Sequence, residues 1–181
     1  MRNTTRLILC ALFAALIAVG AFLKIPIPNV PVTLQTLFVL LAGMLLGGKG
    51  GAIACLVYLA VGLIGIPVFT EGGGLMYLIK PTFGCLLGFA GCAFAAGTLT
   101  ERMQPLSFLK LFGAGLSGVL VIYVVGAVHL FLVQDLYVSR GASFLVVSLT
   151  SMAMCIPVDV ISCAVCALIV KKVRGHIKIR S

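Results

Sequence analysis

The sequence predicts an all-α membrane protein, a single bundle of six transmembrane helices with both ends on the cytoplasmic side. Three observations carry that prediction. The mean hydropathy is +1.27, and charged residues make up 9% of the chain, where soluble domains carry about a quarter. Apolar runs long enough to cross a bilayer recur from end to end. The basic residues sit between those runs and in the tail. A net charge of +9 would point a soluble chain toward nucleic acid. Here the cations flank apolar segments, which reads as topology and contact with anionic lipid. No polar stretch is long enough for a second domain, so residues 1–181 are expected to form one integral-membrane domain.

A helix crosses with roughly 17–25 apolar residues. Leu7 to Leu23 supplies the first span, and Val30 to Gly48 the second, with a polar start at Thr33 and Gln35. Gly50 to Thr70 is the third, joined to the second by Gly47-Gly48-Lys49-Gly50-Gly51, a tight helical hairpin. Pro81 to Thr100 is the fourth and Leu111 to Gln134 the fifth. Gly141 to Val170 is the sixth, interrupted by Pro157 and Asp159. With the N-terminus inside, ten Lys and Arg lie on the cytoplasmic side against Lys24, Lys80 and Arg140 outside, as the positive-inside rule requires. Arg2 and Arg6 precede the first span, but no small-residue cleavage site follows, so a signal peptide is not expected.

Two outer connections are richer than the rest. Lys24 to Gln35 holds three prolines in six residues, which rules out regular helix. Ile66 to Pro81 holds Glu71 beside three consecutive glycines. Irregular backbone at a membrane face persists where it packs on protein or lines a cavity. Asp159 is one of four acidic residues in the chain. A carboxylate inside a span costs roughly 2.5–3.5 kcal/mol on insertion scales, so it is read as a binding residue or as a structural pair with a neighbouring helix.

Other patterns have plain readings. Gly43 to Gly50 approaches the phosphate-loop motif, but Gly50 stands where a hydroxyl residue would hold magnesium, and the run follows a helix instead of a strand. No ATPase is expected in this chain. Seven cysteines read as small buried hydrophobes, and the Cys163-x-x-Cys166 spacing lies inside a helix with no second pair. His129 reads as a hydrogen-bonded wall residue before a proton relay. Neither a metal-protease nor a nucleophile–base motif appears, so no enzyme and no cofactor are expected. Ala11, Ala14, Ala15 and Ala18 form a small-residue face on the first span, suited either to internal packing or to a partner helix.

Four segments in order carry a resemblance. They are Val30-Pro-Val-Thr-Leu-Gln35-Thr-Leu-Phe-Val-Leu-Leu-Ala-Gly43, Gly65-Ile-Pro-Val-Phe69 with its glycine-rich loop, Lys80-Pro-Thr-Phe-Gly84, and Ile156-Pro-Val-Asp159. Together they resemble the BioY family, the biotin-binding S components of energy-coupling-factor (ECF) transporters. The resemblance covers roughly residues 7–170 and implies biotin uptake through a multi-pass protein of a prokaryotic cell membrane. Biotin would be the transported ligand, bound near the outer face. Partners would be a transmembrane coupling subunit, docked on Ala11, Ala14, Ala15 and Ala18, with two ATPase subunits below, or further copies of the same chain. Two readings remain as alternatives: an S component for another small vitamin, and a membrane enzyme or assembly factor using Asp159. The family's last helix reads Pro-x-Asp-x-x-Lys, whereas Ser162 stands in the lysine's place here.

The chemistry of biotin assigns roles. Asp159 accepts from the ureido N–H groups, and Gln35, Asn29 or Thr33 donate to its carbonyl. Phe69, Tyr77 and Phe83 supply aromatic walls. Lys80 meets the ligand carboxylate, and Glu71, Gly73 and Ser162 complete the expected set.

Overall fold

The computed structural model describes residues 3–25, 31–103, 105, 107–133 and 142–176. Six α-helices form among them: α1 (Asn3–Phe22), α2 (Gln35–Leu46), α3 (Gly48–Leu63), α4 (Phe83–Arg102), α5 (Phe108–Val133) and α6 (Ala142–His176). Two short strands, β1 (Lys24–Ile25) and β2 (Val32–Thr33), pair antiparallel ahead of α2. A 3-10 helix over Leu75–Ile79 lies between α3 and α4. Helix α4 is the centre of the bundle and packs on α2, α3 and α5, while α1 covers α2 and α3, and α6 closes against α5 and α2. Leu12, Val19, Leu120, Val124, Val128 and Phe131 are exposed, as the lipid-facing side of a bundle requires.

Four helices are long and apolar enough to cross a membrane. Helices α2 and α3, with 12 and 16 residues, are shorter than the second and third runs predicted from hydropathy. At 1.5 Å per residue they rise about 18 and 24 Å, against about 30 Å of hydrocarbon. Both are cut on the same side. Helix α2 starts only at Gln35 because Val32 and Thr33 are already paired with Ile25 and Lys24. Helix α3 stops at Leu63 because Gly65 turns into the left-handed region (φ 114°) and Pro67 follows. At the opposite end the helices overrun the apolar runs: α1 begins before Leu7, and α6 continues through Lys171 and Lys172. Polar flanking residues continue a helix readily where prolines and glycines do not.

The inner half is cemented by glycine. A Cβ on Gly43 would lie 2.4 Å from the Ala93 carbonyl oxygen, and one on Gly97 would lie 2.5 Å from the Gly43 oxygen. Gly47, at φ 83°, makes the one-residue turn from α2 to α3. The glycines of the near-miss phosphate loop are therefore the contact surface of α2, α3 and α4. Small residues let helix backbones touch in this way.

Candidate functional site

The shortened outer ends of α2 and α3 leave a gap between the bundle and the 64–82 connection. A cavity lies there, lined by residues of β2, α2, α4, α5, α6 and the connection.

Its base is ionic. Asp159 is 6% exposed and lies on an inward stripe of α6 that runs through Met152, Cys155 and Asp159 to Cys163 and Cys166 at helical spacing. The Tyr123 hydroxyl donates to its Oδ2 at 2.6 Å, and Thr36 stands on the same cavity wall. A carboxylate has about four acceptor positions, so the Tyr123 donor leaves room for a ligand. Tyr123 is set in place by close packing of α4 on α5. A Cβ on Gly88 would meet the Ile122 Cα at 2.7 Å, and one on Gly118 would meet the Cys92 Sγ at 2.9 Å.

One wall is a fixed polar network. Gln35, 2% exposed, donates from Nε2 to the Tyr58 hydroxyl at 2.7 Å and accepts from the Thr33 hydroxyl at 3.2 Å. Tyr58 in turn donates to the Val68 carbonyl at 3.2 Å. This chain ties β2, α2 and α3 to the outer connection, leaving no buried amide orphaned. Apolar surface comes from Leu86, Phe89, Ile122 and Met152.

The roof is the connection itself. Phe69 and Gly72 form an isolated antiparallel bridge, with Gly72 at φ 111° and Gly74 at φ 98°. These values fold the segment back so that Phe69 drops onto Gly62, where a Cβ would lie 2.1 Å from its ring. The Phe69 ring then packs edge-on against Tyr58 (5.4 Å) and tilted against Tyr77 (4.6 Å). Such aromatic pairs contribute about 0.5–1.5 kcal/mol beyond burial. The Tyr77 hydroxyl shares a hydrogen bond with Thr70 at 2.8 Å and accepts from Thr82 at 3.4 Å. Lys24 Nζ donates to the Thr70 carbonyl, joining the β1–β2 hairpin to the roof.

Of the residues predicted from sequence, Asp159, Gln35, Thr33 and Tyr77 line the cavity. Lys80 and Glu71 do not; they pair with each other at 2.8 Å, both half-exposed. Lys80 Nζ also lies 4.9 Å over the Tyr77 ring, on the roof instead of in the cavity. Phe69 stands behind Tyr77, and Phe83 packs on His129 at 5.7 Å. Gly73 is an exposed part of the roof and does not line the cavity, and a Cβ on it would meet the Ile66 oxygen at 2.4 Å. Ser162 is buried on α6 beyond Asp159 and is not among the wall residues. Asn29 lies outside the described residues. His129 is a wall residue in the structural sense: its Nε2 is 3.3 Å from the Lys80 carbonyl, pinning α5 to the start of α4. Cys163 packs on Gly115 and Cys166 donates to the Leu37 carbonyl at 3.3 Å, so both act as core residues. The alanine face divides: Ala14 is buried and Ala18 half-buried, while Ala11 and Ala15 are exposed.

Sequence reasoning missed Tyr123, Thr36, Thr70 and Thr82. Tyr123 had a signal, since a phenol in the middle of an apolar helix needs a partner, and Asp159 is the buried acid available to it.

Comparison with known proteins identifies the family. The BioY family model matches residues 1–179. The biotin transporter BioY of Rhodobacter capsulatus is 37% identical over 182 residues, covering 97% of this chain and 94% of the relative. The probable biotin transporter BioY of Lysinibacillus sphaericus is 44% identical over 143 residues, covering 79% and 73%. A crystal structure of the S-component for biotin from an ECF-type ABC transporter matches with a TM-score of 0.78 and 32% identity, covering 97% of this chain and 95% of that one. With its six helices and a family match over nearly its whole length, the chain belongs to the BioY family.

Proposed function

We propose that this chain is a biotin-uptake S component: it captures biotin at the outer face of a prokaryotic cell membrane and delivers it inward. The observation that carries the reading is the Tyr123–Asp159 pair at the base of an outward-facing cavity, in a chain 32% identical to a biotin S-component. Biotin's ureido ring has two N–H donors, and the remaining acceptor positions of Asp159 suit them as charge-assisted hydrogen bonds. Gln35 Nε2 carries a second proton beyond the one given to Tyr58 and is the proposed donor to the ring's carbonyl, and Phe89, Leu86 and Met152 offer apolar surface to the bicycle. Entry requires the roof to lift, which breaks the Lys24–Thr70 contact between the hairpin and the connection.

Energy comes from elsewhere, because the glycine run of α2 and α3 is a packing surface. A transmembrane coupling subunit with two ATPase subunits is the proposed source, docking on the exposed Ala11 and Ala15 of α1. Both chain ends face the cytoplasm.

Equilibrium binding of labelled biotin to the purified chain in detergent tests the reading. Saturable binding is expected. A chain that ignores biotin but binds another small vitamin would move the reading to that vitamin, and a chain that binds neither would remove it.

A further inference from the structure

The roof has a second face, turned away from the cavity. In its 3-10 helix Tyr77 is buried and lines the cavity, while Leu75 and Met76 are 69% and 73% exposed, with Leu78 exposed beside them. Ile64 and Ile66, where the chain leaves α3, are exposed as well. An open groove runs between the two sets, with Ala60, Leu63 and Ile64 on one wall and Gly73 to Met76 on the other. Its lining is Ala, Leu, Ile, Met and Gly. The two walls are tied together, because the Gly74 N–H donates to the Gly62 carbonyl at 2.8 Å.

Three observations say what fills this groove. It continues the exposed stripe of α3, where Ile53, Leu56, Val57, Ala60 and Ile64 recur at helical spacing on the side away from the bundle, the side a membrane helix gives to lipid. Helix α3 also ends early: its rise leaves about 6 Å of the hydrocarbon without helix at this end, and the connection is the segment that follows it there. Finally, the connection satisfies its own backbone. The Gly65 N–H reaches the Gly62 carbonyl at 3.2 Å, Phe69 and Gly72 bond each other at 2.9 and 3.3 Å, Tyr77 donates to Gly74 at 3.0 Å, and Lys80 donates to Tyr77 at 3.0 Å. A loop in water has solvent for these groups, whereas backbone at membrane depth has to find partners in the protein. The charges Glu71 and Lys80 are paired with each other. We propose that the outward face of the roof is a lipid-binding surface, and that its groove seats an acyl chain of the leaflet on the cavity side. The roof then lies between ligand and lipid, with Tyr77 toward one and Leu75 and Met76 toward the other. Lifting it into water would expose those two side chains, so the bilayer itself helps to hold the cavity shut. The inference goes beyond the proposed function and holds whichever vitamin the cavity takes.

The chain contains no tryptophan, so a single indole reports its own surroundings. The test places Met76→Trp in the full chain, in phosphatidylcholine nanodiscs that leave both faces open to water. Brominated acyl chains serve as the lipid quencher and iodide as the water quencher. Leu56→Trp, on the exposed stripe of α3, is the lipid reference, and Lys49→Trp, exposed in the first turn of α3, is the water reference. Brominated chains should quench Met76→Trp about as strongly as Leu56→Trp, and iodide should quench it several-fold less than Lys49→Trp. Should Met76→Trp not fold, Leu75→Trp repeats the measurement from the same wall of the groove. Iodide quenching near that of Lys49→Trp, with or without quenching by bromine, would place this face in water and overturn the proposal. Resistance to both quenchers would mean that protein, such as a second copy of the chain, covers the groove, and would overturn it too. Labelled biotin added to the same discs keeps the two readings apart: bromine quenching without biotin binding would contradict the uptake reading and leave the lipid surface standing.

Discussion

The two halves of this bundle solve opposite problems with the same helices. On the inner half, α2, α3 and α4 meet backbone to backbone through Gly43, Gly48, Gly51 and Gly97, leaving no room even for a methyl group. On the outer half, α2 and α3 end early, and a roof of irregular backbone is held over the gap by Phe69, Tyr58 and Tyr77. The inner half is rigid because nothing separates its backbones. The outer half is hollow because proline and left-handed glycine end its helices before the bilayer does. Close packing on one side is what permits a cavity on the other: the packing of α4 on α5 fixes Ile122 and Tyr123, and Tyr123 holds Asp159, without help from the roof.

That comparison is broken most severely by filling the inner half. Gly43→Val places new atoms within 2.4 Å of the Ala93 oxygen, and within 2.8 and 2.9 Å of the Ala93 Cα and carbonyl carbon. The clash is with backbone, so the cost should exceed the ~1–3 kcal/mol of ordinary overpacking. Loss of monodisperse protein on size-exclusion chromatography is the expected result, and a folded, normally melting variant would show that the inner contact yields.

A second substitution pair separates inward from outward residues on α1. Ala14→Trp should destabilise the bundle, because Ala14 belongs to its core. Ala15→Trp should leave melting temperature and ligand binding unchanged while abolishing co-purification with a coupling subunit, since a bulky group blocks close helix approach. If Ala15→Trp keeps the partner, the docking assignment fails.

The smallest effect belongs to the roof surface. Glu71→Gln removes a half-exposed ion pair, worth about 0.2–1 kcal/mol. Thermal melting should shift little and biotin affinity should not fall. A large drop in either would mean that the pair holds the roof shut.

Much of this was legible in the sequence because hydropathy dominates a membrane chain. All six helices follow from apolar runs and charge placement. The outer ends of α2 and α3 followed only in part: apolar character runs on through Val30–Val32 and Ile64–Val68, so hydropathy alone extends both spans, while the prolines before Gln35 and the Gly65–Pro67 turn end the helices there. Asp159 was legible because a lone acid in a span is costly. Its partner was not, because Tyr123 lies 36 residues away on another helix and no spacing connects them. Lys80 was expected at the ligand because charge calls for charge. The folding back of the roof through Gly72 and Gly74 brings Glu71 to it first, a local competition that sequence separation does not show.

The central claim is that Asp159 is a binding group set in a scaffold that stands without it. Asp159→Asn tests it most directly, with biotin affinity and melting temperature measured on the same preparation. The account predicts affinity lowered by about ten-fold or more, from the ~1.5–3 kcal/mol of a charge-assisted hydrogen bond, with the ligand-free melting temperature nearly unchanged. Unchanged affinity with a markedly lower melting temperature would contradict it, and would make Asp159 a strut between α5 and α6.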